Sequence, residues 1–133
     1  MTITNRQIIS DALGMLGVLA ETEVASAEQA QHGLRVLNSL MAEWGELGIL
    51  PQYYAQTALS DVCPIPDSEE QTVAAALALR LSAFYKGADI ALVAAIASRG
   101  YNRLLRTAIQ DGMQESSMAH LPQGTPVADI FNG

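Results

Sequence analysis

Residues 26–44 read SAEQAQHGLRVLNSLMAEW, and this stretch decides the fold. Its apolar residues recur at steps of three and four, which is the repeat of a helix with one buried face. Ser26, followed three residues later by Gln29, forms a capping pattern that begins such a helix. Gly48 weakens the pattern at the far end, and Pro51 forbids its continuation. The stretch therefore predicts a long amphipathic helix.

Three further apolar series have helical spacing and predict helices that begin near Thr4, Ser68 and Asp89. The first two begin with the same capping pattern, and Gly14 inside the first indicates close approach of a neighbouring segment. The last series runs to about Ile109, after which a glycine weakens it. The third helix is expected to end at Lys86 and Gly87, and its predicted buried stripe consists of Ala74, Leu77, Leu81 and Phe84.

The segments outside these helices have a different character. Residues 51–66 contain two tyrosines, β-branched residues and prolines, which favours two short extended pieces around a turn and would allow a small hairpin. Beyond Met118 no periodicity remains. We therefore expect an all-α, four-helix bundle-like domain over residues 1–112 with a short extended insert. Residues 113–133 are expected to form a C-terminal extension that is mobile in the isolated chain, and that either stays disordered or becomes ordered on binding a partner.

Composition and charge exclude several classes of function. The 133 residues carry a formal charge of −7, which repels phosphate backbones and argues against nucleic-acid binding over the whole surface. The most apolar stretch, residues 73–98, is interrupted by Arg80 and Lys86, so we expect no membrane span. Nothing near the first residue resembles a signal peptide, and the chain is expected to be cytosolic. The single cysteine, Cys63, cannot form an internal disulfide and is expected to be a small, buried or half-buried hydrophobic side chain.

The sequence offers no recognisable catalytic or metal-ligating set. It has no phosphate loop, paired cysteine motif or nucleophile elbow. His32 lies on a polar helix face, far in sequence from His120. Glu43 and Glu46 lie one turn apart and could form a carboxylate pair, although this spacing is ordinary on a solvated helix face. We therefore expect no enzyme activity and no cofactor.

A stripe of arginines is the most distinctive charged feature. Arg99, Arg103 and Arg106 fall on one face of the last helix and make up three of the seven basic residues. They predict a docking surface for an acidic partner or for a second copy of this acidic chain. A solubilising outer face with local salt bridges is an equally good interpretation. Nucleic-acid binding ranks third, because three arginines supply little affinity at physiological salt.

Several short strings together resemble a known family. The chain carries IISDALGMLGV at residues 8–18, then an acidic spacer, SAEQA at 26–30 and GLRVLNSL at 33–40, followed by Trp44 and by GIL at 48–50. This order is similar to that of the tail accessory factors of short-tailed bacteriophages, the head-to-tail connector or packaged-DNA stabilisation family. The similarity covers roughly residues 3–110.

The resemblance implies a structural role in a virion. Family members form a ring, twelve copies being expected, beneath the portal protein, where they prolong the DNA channel, retain the packaged genome and present a surface to later tail proteins. DNA would be channel cargo only, and the location would be the virion neck or tail after assembly in the host cytoplasm. In that family the C-terminal extension grips the portal, which here implies contacts by Leu121, Pro122, Val127, Ile130 and Phe131.

Two other functions compete with this interpretation. A DNA-packaging ring protein similar to a small terminase subunit would bind nucleic acid, and the sequence pI of about 4.5 argues against it. A cell-wall hydrolase would use Glu43 or Glu46 as its acid or base.

Overall fold

The computed structural model describes residues 2–20, 22–85 and 90–120, with side chains described as far as Met113. Within these residues the fold is all-α, as the sequence predicts, and no strand is present. A 3₁₀ turn over Asp67–Glu69 leads into the third helix. The four helices are α1 (Asn5–Met15), α2 (Ala27–Glu46), α3 (Glu70–Leu81) and α4 (Ala91–His120).

The predicted starts of the first two helices are confirmed. The Thr4 hydroxyl accepts the N–H of Gln7 at 3.2 Å, and the Ser26 hydroxyl accepts that of Gln29 at 3.1 Å. Each glutamine side chain in turn accepts the backbone N–H of its capping residue, at 2.8 and 2.9 Å. These reciprocal bonds satisfy N–H groups that the first turn of a helix leaves without partners.

The start of α3 differs from the prediction. The proposed capping pattern at Ser68 is wrong, because the chain enters α3 through the 3₁₀ turn and Glu69 occupies the capping position. Glu69 makes no side-chain cap; its carboxylate instead pairs with Arg103 of α4. The end of α3 also differs, since it lies at Leu81 rather than near Lys86, in a segment that is only partly described.

α3 is the central helix of the fold. It packs against α1, α2 and α4, and every residue from Thr72 to Ala78 is buried. The single buried stripe predicted for it is therefore too narrow. A helix that is apolar on all sides belongs in a core, and its alanines allow three neighbours to approach closely. Its fully buried larger side chains are Val73, Leu77 and Leu81.

The segment between α2 and α3 forms no hairpin within the described residues. It folds back across the start of α1 instead, where the carbonyls of Asp61 and Leu59 accept the N–H groups of Asn5 and Arg6, both at 2.9 Å. Its strand-like contact is a single antiparallel bridge between Thr4 and Val62. These two carbonyls thus satisfy backbone N–H groups that the first turn of α1 leaves without a partner inside the helix.

Two asparagines hold this segment in place. Asn38, in the middle of α2, accepts hydrogen bonds from the N–H of Gln56 at 2.9 Å and the Tyr53 hydroxyl at 2.5 Å, and it donates to the Gln56 carbonyl at 2.8 Å. Asn5 is fully buried and donates to the Gln56 side-chain oxygen and the Ala58 carbonyl. The segment is therefore fixed to both α1 and α2 by polar contacts.

Two glycines mark the closest helix contacts, and neither is the one that the sequence indicated. A Cβ on Gly33 would lie 2.5 Å from Ile9, and one on Gly100 would lie 2.3 Å from the hydroxyl of Thr72. Gly14, by contrast, has nothing within 4 Å of a built Cβ, so the predicted close approach there is wrong. Any larger residue at either position would force the neighbouring side chain to shift.

α4 runs antiparallel to α3 and then continues past it. Gly100 lies against Thr72 and Arg103 meets Glu69. Ala108 is half-buried, and residues 109–113 after it are exposed. The predicted end near Ile109 is wrong, since the helix runs on to His120. Thirty helical residues span about 45 Å, against about 18 Å for α3. The predicted domain boundary at residue 112 therefore falls inside a helix.

Candidate docking surface on helix α4

The side of α4 that points away from the body carries a mixed charged and apolar stripe. At 100° per residue, Leu92, Arg99, Arg106 and Met113 lie within about 60° of arc. Leu92 and Met113 are 73% and 64% exposed, although both are large apolar side chains. The opposite side of the helix carries the buried residues Val93, Ala97 and Gly100. We call these four exposed residues the docking stripe.

The structure separates the three arginines that the sequence placed on one face. The guanidinium of Arg103 pairs with the carboxylate of Glu69 and lies 3.5 Å from the hydroxyl of Thr72. Arg99 and Arg106 are exposed and make no ion pair with any described residue. Sequence periodicity could not distinguish Arg103 from the other two arginines, because the difference arises from the packing of α4 on the first turn of α3.

The described side chains of α4 become solvent-exposed after Ala108. Ile109 is 53% exposed, and residues 110–113 are exposed as well. The helical backbone continues to His120, where the described residues end. The residues that the family resemblance assigns to portal contact follow directly in the sequence and lie outside the described part of the chain: Leu121, Pro122, Val127, Ile130 and Phe131.

An open acidic cleft of about 550 Å³ lies between α1 and α3, on the other side of α3 from α4. Its carboxylates come from Asp11, Glu23 and Glu70, and it is also lined by Met15 and Leu19. None of the three carboxylates forms an ion pair within the described residues. Partial burial raises the pKa of Asp11, because a less hydrated site disfavours the charged carboxylate.

Sequence reasoning missed the acidic cleft. Asp11 falls off the buried stripe of α1, Glu23 belongs to the loop after it, and Glu70 lies at the start of a helix almost fifty residues later. Each reads separately as a solvated surface residue. Only the packing of α1 against α3 brings them together, and that packing follows from the all-round apolar character of α3.

The sites considered for catalysis have structural partners instead. The carboxylate of Glu43 forms an ion pair with Arg80 of α3. Cys63 is fully buried, and burial raises the pKa of its thiol to about 12, which leaves it a poor nucleophile. No group of three or more metal-ligating side chains occurs among the described residues.

His32 and Phe84 form an exposed aromatic contact. Phe84 was predicted to be buried, but α3 ends before it and the side chain is 61% exposed. Its ring and the His32 ring are nearly perpendicular, with their centroids 4.5 Å apart. Arg35, Val36 and Ser39 border the open depression beside the two rings.

Comparison with known proteins gives no independent assignment. No protein-family model matches the chain, and no curated protein matches its sequence. Among the helices of the described ranges, none is long and apolar enough to cross a membrane.

Proposed function

We propose that this protein is a structural head-to-tail adaptor of a bacteriophage virion. Copies form a ring beneath the portal protein, extend the DNA channel, retain the packaged genome and dock the next tail proteins. The observation that carries the proposal is the exposure of residues 109–113 of α4, a helix that is followed in the sequence by residues 121–133. The family resemblance supplies the identity of the portal as the partner.

The exposed apolar residues at this end support a partner-binding role. Ile109 and Met113 are four residues apart and therefore lie on one side of the helix. Residues with this spacing on an uncovered helix are typical of a helix that lies in an apolar groove of another protein. Keeping them in water forgoes the stabilisation that their burial would give.

The surface charge fits passage of DNA without retention by the wall. A net charge of −7 repels phosphates, so a channel lined by many such copies offers duplex DNA little affinity. On this proposal the protein acts by assembly rather than by catalysis. It resides in the neck or tail of the virion and assembles in the host cytoplasm.

Electron microscopy of the full chain mixed with the portal of the same phage tests the proposal. We expect a ring of density at the narrow end of the portal. The double variant Ile109→Asp/Met113→Asp should lose this ring, because two charges enter the apolar contact. Val24→Asp is a matched control, since Val24 is 77% exposed elsewhere on the surface, and it should bind normally.

Two results would contradict the adaptor function. One is a wild-type chain that stays unbound when mixed with the portal. The other is a salt-dependent shift of duplex DNA at physiological ionic strength, which would favour a DNA-packaging ring protein instead.

A further inference from the structure

We propose that the docking stripe of one copy binds the acidic cleft of the next copy, so that identical chains join head to tail. The inference rests on the proposed ring-forming function and names the surfaces that form the ring. It assigns Arg99 and Arg106 to the contact between copies, and Arg103 to the contact within a chain.

Charge complementarity supports this pairing. The stripe presents two arginines that have no ion-pair partner among the described residues. The cleft presents three carboxylates, Asp11, Glu23 and Glu70, that lack one in the same part of the chain. The chain itself shows the chemistry within one copy, since Arg103 already pairs with Glu69 at the start of α3.

Apolar complementarity adds to the charges. Leu92 lies at one end of the stripe, away from the residues assigned to the portal contact, and is 73% exposed in a single copy. The acidic cleft is lined by Met15 and Leu19 as well as by carboxylates. A neighbouring copy can therefore cover an apolar side chain of the stripe and supply carboxylates to its arginines. Exposed ion pairs alone contribute little to association, so this apolar burial matters.

The placement of the two surfaces determines the symmetry of the contact. Thr72 meets α4 whereas Ala74 lines the acidic cleft, and two residues of a helix step correspond to about 200°. The stripe and the cleft therefore lie on opposite sides of α3. Two copies that face each other can therefore form this contact only once. After each addition, one docking stripe and one acidic cleft remain free at the two ends of the assembly. Contacts of this type produce rings when the rotation closes.

Cysteine cross-linking tests the contact without removing any charge. Gly14 lines the cleft and has open space around it, and Gln110 is exposed one turn beyond Arg106 on the side of the stripe. Cys63 is fully buried and does not compete for the reagent under native conditions. With a short bismaleimide, the chain carrying both Gly14→Cys and Gln110→Cys should give a ladder of dimers, trimers and larger species.

Each single cysteine variant provides the control for symmetry. Neither Gly14→Cys nor Gln110→Cys alone should cross-link efficiently, because the cleft and the stripe meet only each other. A double variant that stops at dimers overturns the head-to-tail arrangement, and a double variant that remains monomeric overturns the contact itself.

Charge reversal tests the same contact at low ionic strength. In sedimentation velocity at high protein concentration, Arg99→Glu/Arg106→Glu should remain monomeric where the wild type associates. An equimolar mixture with Asp11→Lys/Glu70→Lys should regain association, because both kinds of contact become complementary again. Arg6→Glu/Arg35→Glu changes the net charge equally at exposed positions away from both surfaces and should associate like the wild type.

Ring formation on the portal and cross-linking between copies distinguish the proposed contact from the adaptor function. If Arg99→Glu/Arg106→Glu still forms a full ring on the portal, the proposed contact is wrong while the function stands. If the wild-type chain never binds a portal but cross-links into a ladder, the contact stands and the adaptor function is wrong.

Discussion

Glu69 and Glu70 are neighbours in the sequence, yet they face two sides of α3 with opposite properties. Glu69 points to α4, is nearly covered, and pairs with Arg103. Glu70 lines the open cleft against α1 and has no ion pair among the described residues. The glutamate on one side of the helix is thus paired within the chain, and the glutamate on the other side faces an open cleft. The difference teaches that the same kind of carboxylate can serve the fold or a partner, depending on which helix covers it.

Two glycines provide the largest expected contrast between these sides. Gly100→Ala should lower the free energy of unfolding, because the new Cβ would lie 2.3 Å from the buried Thr72 side chain. Overpacking of this kind costs about 1–3 kcal/mol, which exceeds the gain of about 1 kcal/mol from the better helix propensity of alanine. Gly14→Ala, in the open cleft, should instead stabilise by about 0.5–1 kcal/mol.

Urea denaturation of both glycine variants measures the contrast. Adding Thr72→Ala to Gly100→Ala should recover part of the loss, as expected for residues in direct contact. Equal effects of the two glycine substitutions would show that the α4 side is no more tightly packed than the cleft.

Neutralising the two glutamates gives the next largest effect. Glu69→Gln should cost about 0.5–1 kcal/mol, since it removes a pair whose arginine is 56% exposed and therefore partly screened. Glu70→Gln should change the stability by less than about 0.5 kcal/mol. Both carboxylates lie at the start of α3, so the effect of the helix dipole is similar in the two variants.

The comparison of the two glutamates is made in monomer by thermal or urea unfolding. High salt should bring Glu69→Gln closer to the wild type, because salt screens the pair that the variant lacks. A larger loss for Glu70→Gln than for Glu69→Gln would mean that Glu70 has a partner within the chain.

Asp11 gives the smallest effect and a pH dependence. Because its pKa is raised in the folded state above the ordinary value of 3.8, its charged form favours the unfolded chain. Asp11 therefore contributes most favourably to the folding free energy below pH 3.8, and this contribution is lost as the pH rises through the pKa of the folded state. Asp11→Asn should match the wild type near pH 3 and be slightly more stable at pH 7.

Equilibrium unfolding of monomer at the two pH values checks the behaviour of Asp11. The gain at pH 7 should shrink or reverse under conditions where copies associate, since an arginine of the next copy would then favour the charged carboxylate. A wild type that is the more stable monomer at pH 7 would contradict the raised pKa.

Local sequence patterns predicted most of the helices, but they did not predict which surface residues are paired by contacts between helices. The capping pairs at Thr4 and Ser26 act within four residues, and both form as the sequence indicates. The same pattern does not form at Ser68, where the chain enters α3 through a 3₁₀ turn and Glu69 pairs with Arg103 of α4 instead of capping the helix. Interactions between distant segments override local propensity at such positions.

The candidate surfaces show the same division. Helical spacing alone placed Arg99 and Arg106 on one face, and both are exposed there. It could not show that Arg103 is paired within the chain, and it could not predict the acidic cleft. Both features depend on which helices pack on α3. The hairpin prediction failed for a related reason, since the N–H groups of α1 compete for the carbonyls of residues 59 and 61.

The central position of α3 also has a consequence for biosynthesis. α1 and α2 emerge from the ribosome first, but much of their apolar surface packs against a helix that is translated later. The start of α1 likewise waits for the carbonyls of Leu59 and Asp61. A nascent chain that ends before Leu81 therefore lacks the element on which its earlier helices fold. Folding is expected to follow synthesis of α3 in one cooperative step, rather than to proceed helix by helix from the N-terminus.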